Sequence, residues 1–192
     1  MVKLFGIDLE YYAFALSMFA LFISMFKDFF LPLIFKPRLK IVMNNTESFV
    51  RTALSSEGRS RYARILLKNQ DSFFSKSAKQ CYVKLLEIRD NENNVIQPFD
   101  QAPLNWTVYH NTKNDLAKGE SHFIDLVYEK EHINHLFFPT SVPNSLMDNA
   151  DELLGAGNYK LRIGVYGNNF NSFTKTIKIQ KGDTFGNLVY VT

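Results

Sequence analysis

An uncharged, apolar run near the N-terminus limits what this chain can fold into more than any other feature. No side chain from Tyr11 to Phe26 is charged, and apolar residues resume from Phe29 to Phe35 after Lys27 and Asp28. Eight of the 18 phenylalanines fall within the first 35 positions. A helix that is apolar on every face has no side to turn to water, so this composition predicts a segment that dissolves in lipid.

The length of the run sets the extent of the predicted helix. Its 16 residues span about 24 Å at ~1.5 Å each, less than the roughly 30 Å hydrocarbon core of a bilayer. The helix must therefore be longer, and Asp8 can cap its start. Pro32 and Pro37 should stop it from running unbroken into the rest of the chain. We predict a membrane anchor over residues 1–35 and one domain over residues 36–192.

A cleaved signal peptide and the buried helix of a soluble protein are the two alternatives to a retained anchor. Signal peptides begin with a positive region and end at a small-residue cleavage site. Here Asp8 and Glu10 precede the run, and Lys27-Asp28-Phe29-Phe30 follows it. A single β-domain offers no place to bury a helix that is apolar all round. We therefore favour the retained anchor.

The charges that flank the run predict its orientation. Lys36, Arg38 and Lys40 follow the run, whereas acids accompany Lys3 before it. The positive-inside rule then places the domain in the cytoplasm, on an inner (cytoplasmic) membrane, and the three bases can contact anionic headgroups. Two glycosylation-type sequons would favour a lumenal domain, but one of them, Asn105-Trp106-Thr107, falls in a predicted strand.

Small residues recur along the predicted helix at spacings of four, three and four. They form one narrow stripe, with phenylalanines on the opposite side: Ala13, Ser17, Ala20 and Ser24. Small residues on a common stripe allow helix backbones to approach closely in lipid. We expect self-association through this stripe, and hence a homo-oligomer; the alternative is chance placement in a segment rich in Ala, Ser and Phe.

Beyond Pro37 the apolar pattern changes from continuous to alternating, which is typical of half-buried strands. We expect seven to nine short strands, separated by Asn/Asp/Gly clusters. They are predicted near 39–43, 63–67, 78–88, 104–109, 122–128, 135–138, 159–166, 173–179 and 187–191. The alternation slips at Leu85-Leu86, where a bulge would keep both side chains in use. This pattern indicates an all-β sandwich of two sheets.

The segment from Leu154 to Val165 carries the most specific pattern of the domain. Gly157 stands two places before Tyr159, and Leu161, Ile163 and Val165 then alternate inward. This pattern resembles the tyrosine corner that leads into strand F of an immunoglobulin-like sandwich, where the hydroxyl bonds the backbone just upstream. Trp106 can supply the large aromatic residue of the core.

The order of the strand segments adds to this resemblance. Arg64–Asn69 followed by Ala78–Val83 is similar to strands B and C of fibronectin-III-like and adhesion-related sandwiches, and Leu116–Glu120 is similar to the turn before strand E. With the junction Phe35–Ile41, the chain resembles uncharacterised prokaryotic membrane proteins that have one helix and one such domain. The resemblance implies an immunoglobulin-like fold and a single-pass arrangement, and it carries over no catalytic residue.

Few residue patterns point to catalysis or to a cofactor. Cys81 alternates with core residues, so we expect a small buried side chain rather than a catalytic thiol. His122, His132 and His135, with Glu129, Glu131 and His110 nearby, are the closest approach to a metal site, but strand geometry would separate them. Asp125 is expected to point outward on a bulged strand. We predict no enzyme, no cofactor and no metal.

The formal charge of +3 is too small and too dispersed for a nucleic-acid binder. The leading hypothesis is therefore a tethered binding or scaffold module that contacts the bilayer and another protein. Its candidate contacts are the loops Asn44–Ser60, Asp90–Pro103 and Asn134–Asp151, because sandwiches display recognition on loops. The alternative is a ligand-sensing membrane effector, for example in prokaryotic defence, whose helices assemble in the bilayer.

Overall fold

The computed structural model describes residues 3–4, 7–55, 58–96, 103–107, 112–139 and 154–191. The chain divides into two compact units, Met1–Lys36 and Pro37–Thr192.

The first unit is dominated by one helical segment. Two short paired strands, β1 (Lys3–Leu4) and β2 (Ile7–Asp8), precede α1 (Leu9–Met25). A π-helical turn over Phe26–Phe30 and a last turn, α2 (Leu31–Ile34), complete the segment. The wider π turn lies directly before Pro32, which has no N–H to give to the carbonyl four residues earlier, so the ladder changes there.

This helical segment is long and apolar enough to cross a membrane. The qualifying stretch is Glu10–Phe30, and it lies uncovered throughout. Its 21 residues correspond to about 30 Å of helix, which matches the hydrocarbon thickness of a bilayer. The helical structure ends at Ile34, before Pro37, in agreement with the sequence pattern.

The second unit consists of two sheets. The strands are β3 (Leu39–Val42), β4 (Val50–Ser55), β5 (Gly58–Asn69), β6 (Ala78–Arg89), β7 (Asn114–Leu116), β8 (Ser121–Lys130), β9 (Ile133–Phe137), β10 (Gly157–Tyr166), β11 (Phe173–Lys181) and β12 (Leu188–Tyr190). The first sheet has the order β3-β5-β8-β9, with β4 also paired to β5; the second has the order β12-β11-β10-β6-β7. Every pairing is antiparallel.

Most predicted strands are present, and two strands within the described residues were missed. β4 and β7 have no counterpart in the sequence prediction, and β5 begins five residues earlier than expected. The expected strand near 104–109 is reduced to isolated bridges at Pro103 and Trp106, and residues 108 and 109 lie outside the described part. The bulge expected at Leu85-Leu86 is confirmed: Arg162 pairs with Glu87 and Ile163 with Leu85, which leaves Leu86 unpaired.

Both sheets contribute to one buried core. Alternating side chains supply it, among them Ile65 and Leu67 from β5 and Leu161 and Ile163 from β10. The segment 103–107 crosses from the second sheet to the first. The N–H of Leu104 donates to the carbonyl of Val83 in β6, and Trp106 forms a bridge with Ile124 in β8. Trp106 is 1% exposed at this crossing, so its indole packs between the two layers.

Candidate interaction surfaces

The tyrosine corner shows how the sequence shapes the start of β10. The hydroxyl of Tyr159 donates to the carbonyl oxygen of Gly155 at 3.0 Å, which is the upstream bond that the pattern predicts. A Cβ at Gly157 would lie 3.2 Å from that hydroxyl oxygen and 3.3 Å from the ring. Glycine therefore leaves the room that the ring needs to fold back over the turn.

An aromatic row crosses the outer face of the first sheet. Tyr62, Tyr128 and Phe137 are direct cross-strand partners on β5, β8 and β9. Their rings stack in succession, with centroid separations of 5.2 Å for both pairs. Because their neighbours Ala63 and Val127 are buried in the core, the three rings face outward, and each is half-exposed.

Basic residues lie at both ends of this aromatic row. Arg51 on β4 pairs directly with Tyr62, and the Nζ of Lys130 lies 5.6 Å from the ring centroid of Phe137. A cation near the face of an aromatic ring is attracted by the ring quadrupole. The result is a continuous outward strip of stacked rings flanked by positive charge, and its aromatic residues and arginine are residue types enriched in protein–protein interfaces.

The outer face of the second sheet has a different composition. Lys160 on β10 lies directly between Arg89 on β6 and Lys178 on β11, so three cations share one cross-strand row. The next row holds Glu87, Arg162 and Thr176. The outward side chains of residues 82–89, 158–166 and 174–180 form this surface, which is called the basic face below.

The turn that contains Asn93 bonds two of the cations at one end of the basic face. Asn93, with φ of +73°, accepts a hydrogen bond from Lys160 Nζ through Oδ1 at 3.2 Å and one from Arg89 Nη1 through its carbonyl at 3.0 Å. Glu87 accepts a hydrogen bond from Arg89 Nε, which lowers the pKa of this carboxyl. Lys178 and Arg162 are exposed to solvent beside these groups.

An aromatic pair occupies the opposite end of the basic face. Tyr82 and Tyr166 stack with centroids 5.3 Å apart. A Cβ at Gly164 would lie 2.6 Å from the Tyr166 ring, so the glycine lets this ring lie across the strand. Lys84 and Lys113 place their Nζ atoms 5.9 and 5.5 Å from the Tyr82 ring.

A buried ion pair joins the two sheets beneath these faces. Lys181 Nζ at the end of β11 lies 3.5 Å from Glu129 Oε2 on β8, and both side chains are 1% exposed. The N–H of Gly186 donates to Glu129 Oε1 at 2.9 Å, and Lys181 donates to the carbonyl of Gly182 at 3.0 Å. A cleft of about 330 Å³ lies beside the pair, lined also by Glu131, His132 and Phe185 among others.

Glu131, which lines this cleft, is bonded to Arg59. Its carboxylate accepts hydrogen bonds from Arg59 Nε at 2.9 Å and from Nη2. The guanidinium holds the pKa of Glu131 at about 2. The same guanidinium lies 5.5 Å from the ring centroid of Phe185.

The residues considered for chemistry lie apart. Cys81 is confirmed as a core side chain, at 0% exposure, and burial raises the pKa of its thiol to about 12. His122 bonds Glu120, whereas His132 is exposed and His135 half-exposed. Within the described residues, no group of three or more His, Cys, Asp or Glu side chains could hold a metal ion. His110 lies outside the described residues.

Asp125 is half-exposed between the buried Ile124 and Leu126 and beside a bulge, which agrees with the expectation that it points outward. The register between β5 and β8 shifts between Ala63 and Arg64, and Asp125 pairs with Arg64. Its Oδ1 accepts a hydrogen bond from Thr107 Oγ1 at 3.0 Å. The carboxylate therefore has a role in joining the 103–107 segment to β8.

The helix residues expected to mediate association are all exposed on the first unit: Ala13, Ser17, Ala20 and Ser24. The hydroxyl of Ser17 donates to the carbonyl of Ala13 at 2.8 Å, and that of Ser24 to Asp28 at 3.4 Å. Both hydroxyls thus find partners within their own helix. Of the predicted headgroup contacts, Arg38 and Lys40 are exposed and Lys36 is half-exposed.

The predicted contact loops are only partly loops. Asn44–Ser60 contains β4 and the start of β5, so the expectation of a loop there was wrong. Residues 97–102 of the second segment and 140–151 of the third lie outside the described residues. Sequence reasoning missed the aromatic row and the basic face, because each is assembled by the register of three or four strands. The sequence indicated only that each of these residues alternates with a buried one and therefore points outward, and it did not indicate which outward residues would be neighbours.

The comparisons with known proteins add little to this geometry. No protein-family model matches the chain, and no curated protein matches it. Among solved structures, a match is a family 123 glycoside hydrolase from Clostridium perfringens, studied for glycolipid glycan hydrolysis. The match has 10% sequence identity and a TM-score of 0.37, and it covers 73% of this chain and 26% of that protein. The chain thus spans about a quarter of the hydrolase, and the likeness carries no argument about function.

Proposed function

We propose that this chain is a membrane-anchored binding module whose immunoglobulin-like domain contacts another protein at the cytoplasmic face of a membrane. The observation that carries the proposal is the half-exposed row of Tyr62, Tyr128 and Phe137. Aromatic side chains that are not used in the core and remain partly open to solvent are enriched at interfaces, where they bury large area with little loss of freedom.

The strand order supports the immunoglobulin-like assignment. β5 pairs with β8 as strands B and E do, and β6, β10 and β11 are neighbours as strands C, F and G are. The corner bond of Tyr159 lies at the start of β10, the position of strand F. The apolar stretch Glu10–Phe30 and the bases after it support anchoring with the domain on the cytoplasmic side.

Site-specific photocrosslinking in cells tests the proposal. A photoreactive residue in place of Arg51, beside Tyr62, should capture one partner in constant stoichiometry. A photoreactive residue in place of Gln180, on the basic face, is the matched control and should not capture it. Tyr128→Ala should abolish the crosslink while Cys81 stays unreactive towards thiol reagents, which shows that the core remains folded. A crosslink at Arg51 that survives Tyr128→Ala would contradict a role for the row.

The same experiment distinguishes the alternative function, a ligand-sensing effector that assembles in the bilayer. The stripe of small residues Ala13, Ser17, Ala20 and Ser24 favours close helix contact, because small side chains let helix backbones approach each other in lipid. Ligand-dependent crosslinks between copies of this chain, accompanied by membrane leakage, would support the effector. A constant hetero-complex would support the binding module.

A further inference from the structure

The basic face holds more positive charge than cross-strand pairing favours. Lys160 is directly opposite Arg89 on one side and Lys178 on the other, and like charges in that position destabilise a sheet. Within residues 82–89, 158–166 and 174–180, all of which the structure describes, Glu87 is the single acid. Glu87 bonds Arg89, and Lys160 bonds the neutral Asn93 in a turn that also carries Asp90 and Glu92. Among the described residues neither lysine forms an ion pair, so both ammonium groups can still take an anion as partner.

The neighbourhood of the two lysines is rich in hydrogen-bond donors. A surface depression of about 350 Å³ is lined by Lys160 and Lys178, together with the amide side chains of Asn91, Asn158 and Gln180. Ammonium and amide groups both donate to oxygen anions. Phosphate oxygens are strong acceptors that several such donors can share.

The remainder of the face extends this character across the sheet. Arg162 and Lys84 add two further bases along the neighbouring rows. Adjacent strands are ~4.8 Å apart, so three strands present their charges over a width of about 10 Å. Tyr82 and Tyr166 close the face at its other end, and tyrosine is enriched where a protein meets the headgroup level of a membrane. The surface is therefore broad and open and can meet several phosphates at once.

We propose that the basic face binds the phosphate groups of anionic lipid headgroups. This inference rests on the membrane anchoring in the proposed function, and it is independent of the protein partner. The anchor keeps the domain near a bilayer, so that docking becomes an intramolecular event with a high effective concentration of headgroups. The negative potential of a cytoplasmic leaflet complements the sign of the face.

Fluorescence quenching on the full-length protein in vesicles tests the proposal. Thr176 is exposed on the basic face opposite Arg162, and Thr176→Cys can be labelled selectively because the native Cys81 is buried. The vesicles contain phosphatidylcholine alone or with phosphatidylglycerol, and a nitroxide on the headgroup serves as quencher. We expect quenching at least about twofold stronger with phosphatidylglycerol, and its loss between about 0.05 M and about 0.5 M NaCl as charges are screened.

Two variants control the measurement. The double substitution K160E/K178E should abolish the dependence on phosphatidylglycerol while Cys81 remains unreactive. A label at Thr52→Cys, exposed on β4 of the first sheet, should be quenched equally in both vesicles. Equal quenching at position 176 in both vesicles would overturn the inference.

Inorganic phosphate and a flotation assay separate the sources and the two proposals. If millimolar phosphate changes the label emission without lipid and removes the lipid dependence, the site takes soluble phosphate and the lipid assignment is wrong. If the protein floats with both vesicles after an alkaline wash but shows no lipid-dependent quenching, the membrane anchor is supported and the inference about the basic face is wrong. Protein that floats only with phosphatidylglycerol and is released by salt supports the inference and contradicts the anchor.

Discussion

The outer faces of the two sheets differ in how their cations are accommodated. On the first sheet, Arg59 bonds Glu131 and the guanidinium of Arg64 lies 4.7 Å from the Phe123 ring centroid, although Lys40 and Lys68 are also directly opposite each other. On the second sheet, Lys160 lies between Arg89 and Lys178, so three cations share one row. Like-charge neighbours thus occur on both sheets, and the second sheet differs in placing three of them side by side.

The difference fits the two contacts that we propose for the two faces. Stacked rings with an arginine beside them suit contact with a protein, because aromatic residues and arginine are enriched at such interfaces. Unmatched cations suit a polyanionic surface, because binding removes their repulsion. Three stability experiments test this contrast.

The largest effect is expected at the buried ion pair of Glu129 and Lys181, which joins the two sheets. Lys181→Met leaves the Glu129 carboxylate buried without its cation, which should lower the free energy of unfolding by about 3–5 kcal/mol. Urea unfolding in detergent, followed by Cys81 labelling, measures the loss. The double variant Glu129→Leu/Lys181→Met should recover most of the stability. Equal destabilisation in the single and double variants would mean that packing, rather than charge compensation, dominates there.

The next largest effect compares the stability contributed by the aromatic row of the first sheet with that of the Tyr82–Tyr166 pair of the second sheet. Tyr128→Ala removes two stacked contacts, whereas Tyr166→Ala removes one. Because each aromatic pair contributes about 0.5–1.5 kcal/mol beyond its buried area, Tyr128→Ala should cost roughly twice as much in stacking. Unfolding midpoints of both variants give the comparison. A larger loss for Tyr166→Ala would show that the row is a weaker unit than its geometry implies.

The smallest effect tests the repulsion on the basic face. Lys178→Glu replaces a like charge opposite Lys160 with an attractive one, so it should stabilise the fold by about 0.2–1 kcal/mol at low salt. High salt should reduce the gain, since exposed charges are screened. Lys178→Gln, which removes the like charge without introducing an attractive one, is the comparison and should give a smaller gain. Unchanged or lower stability of Lys178→Glu at low salt would remove the argument for unmatched charge.

Much of the fold follows from local pattern. The uncharged run predicts the helical segment, and alternation predicts the inward residues of β5, β6, β8, β10 and β11. The bulge at Leu86 follows from two adjacent leucines, since only an extra residue lets the neighbouring positions keep their faces. β4 was missed because Arg51 and Thr52 interrupt any apolar alternation, and its pairing with β5 makes it a strand.

The candidate surfaces depend on information that a single strand does not hold. Tyr62, Tyr128 and Phe137 are separated by 66 and 9 positions in the chain, and register alone brings their rings into contact. Asn69 makes the same point inside the core: it is 0% exposed, and its side-chain amide donates to the carbonyls of Lys76, Leu116 and Ala117. No local pattern marks that asparagine as buried.

Local pattern is enough to show where the chain is apolar all round, where it alternates, and which side chains most strands turn inward, because these depend on the periods of helix and strand. It does not show which outward side chains become neighbours. That depends on strand order and register, which place Arg89 of β6 in one row with Lys160 and Lys178 of β10 and β11. The chemistry of both faces is therefore a property of the folded sheets.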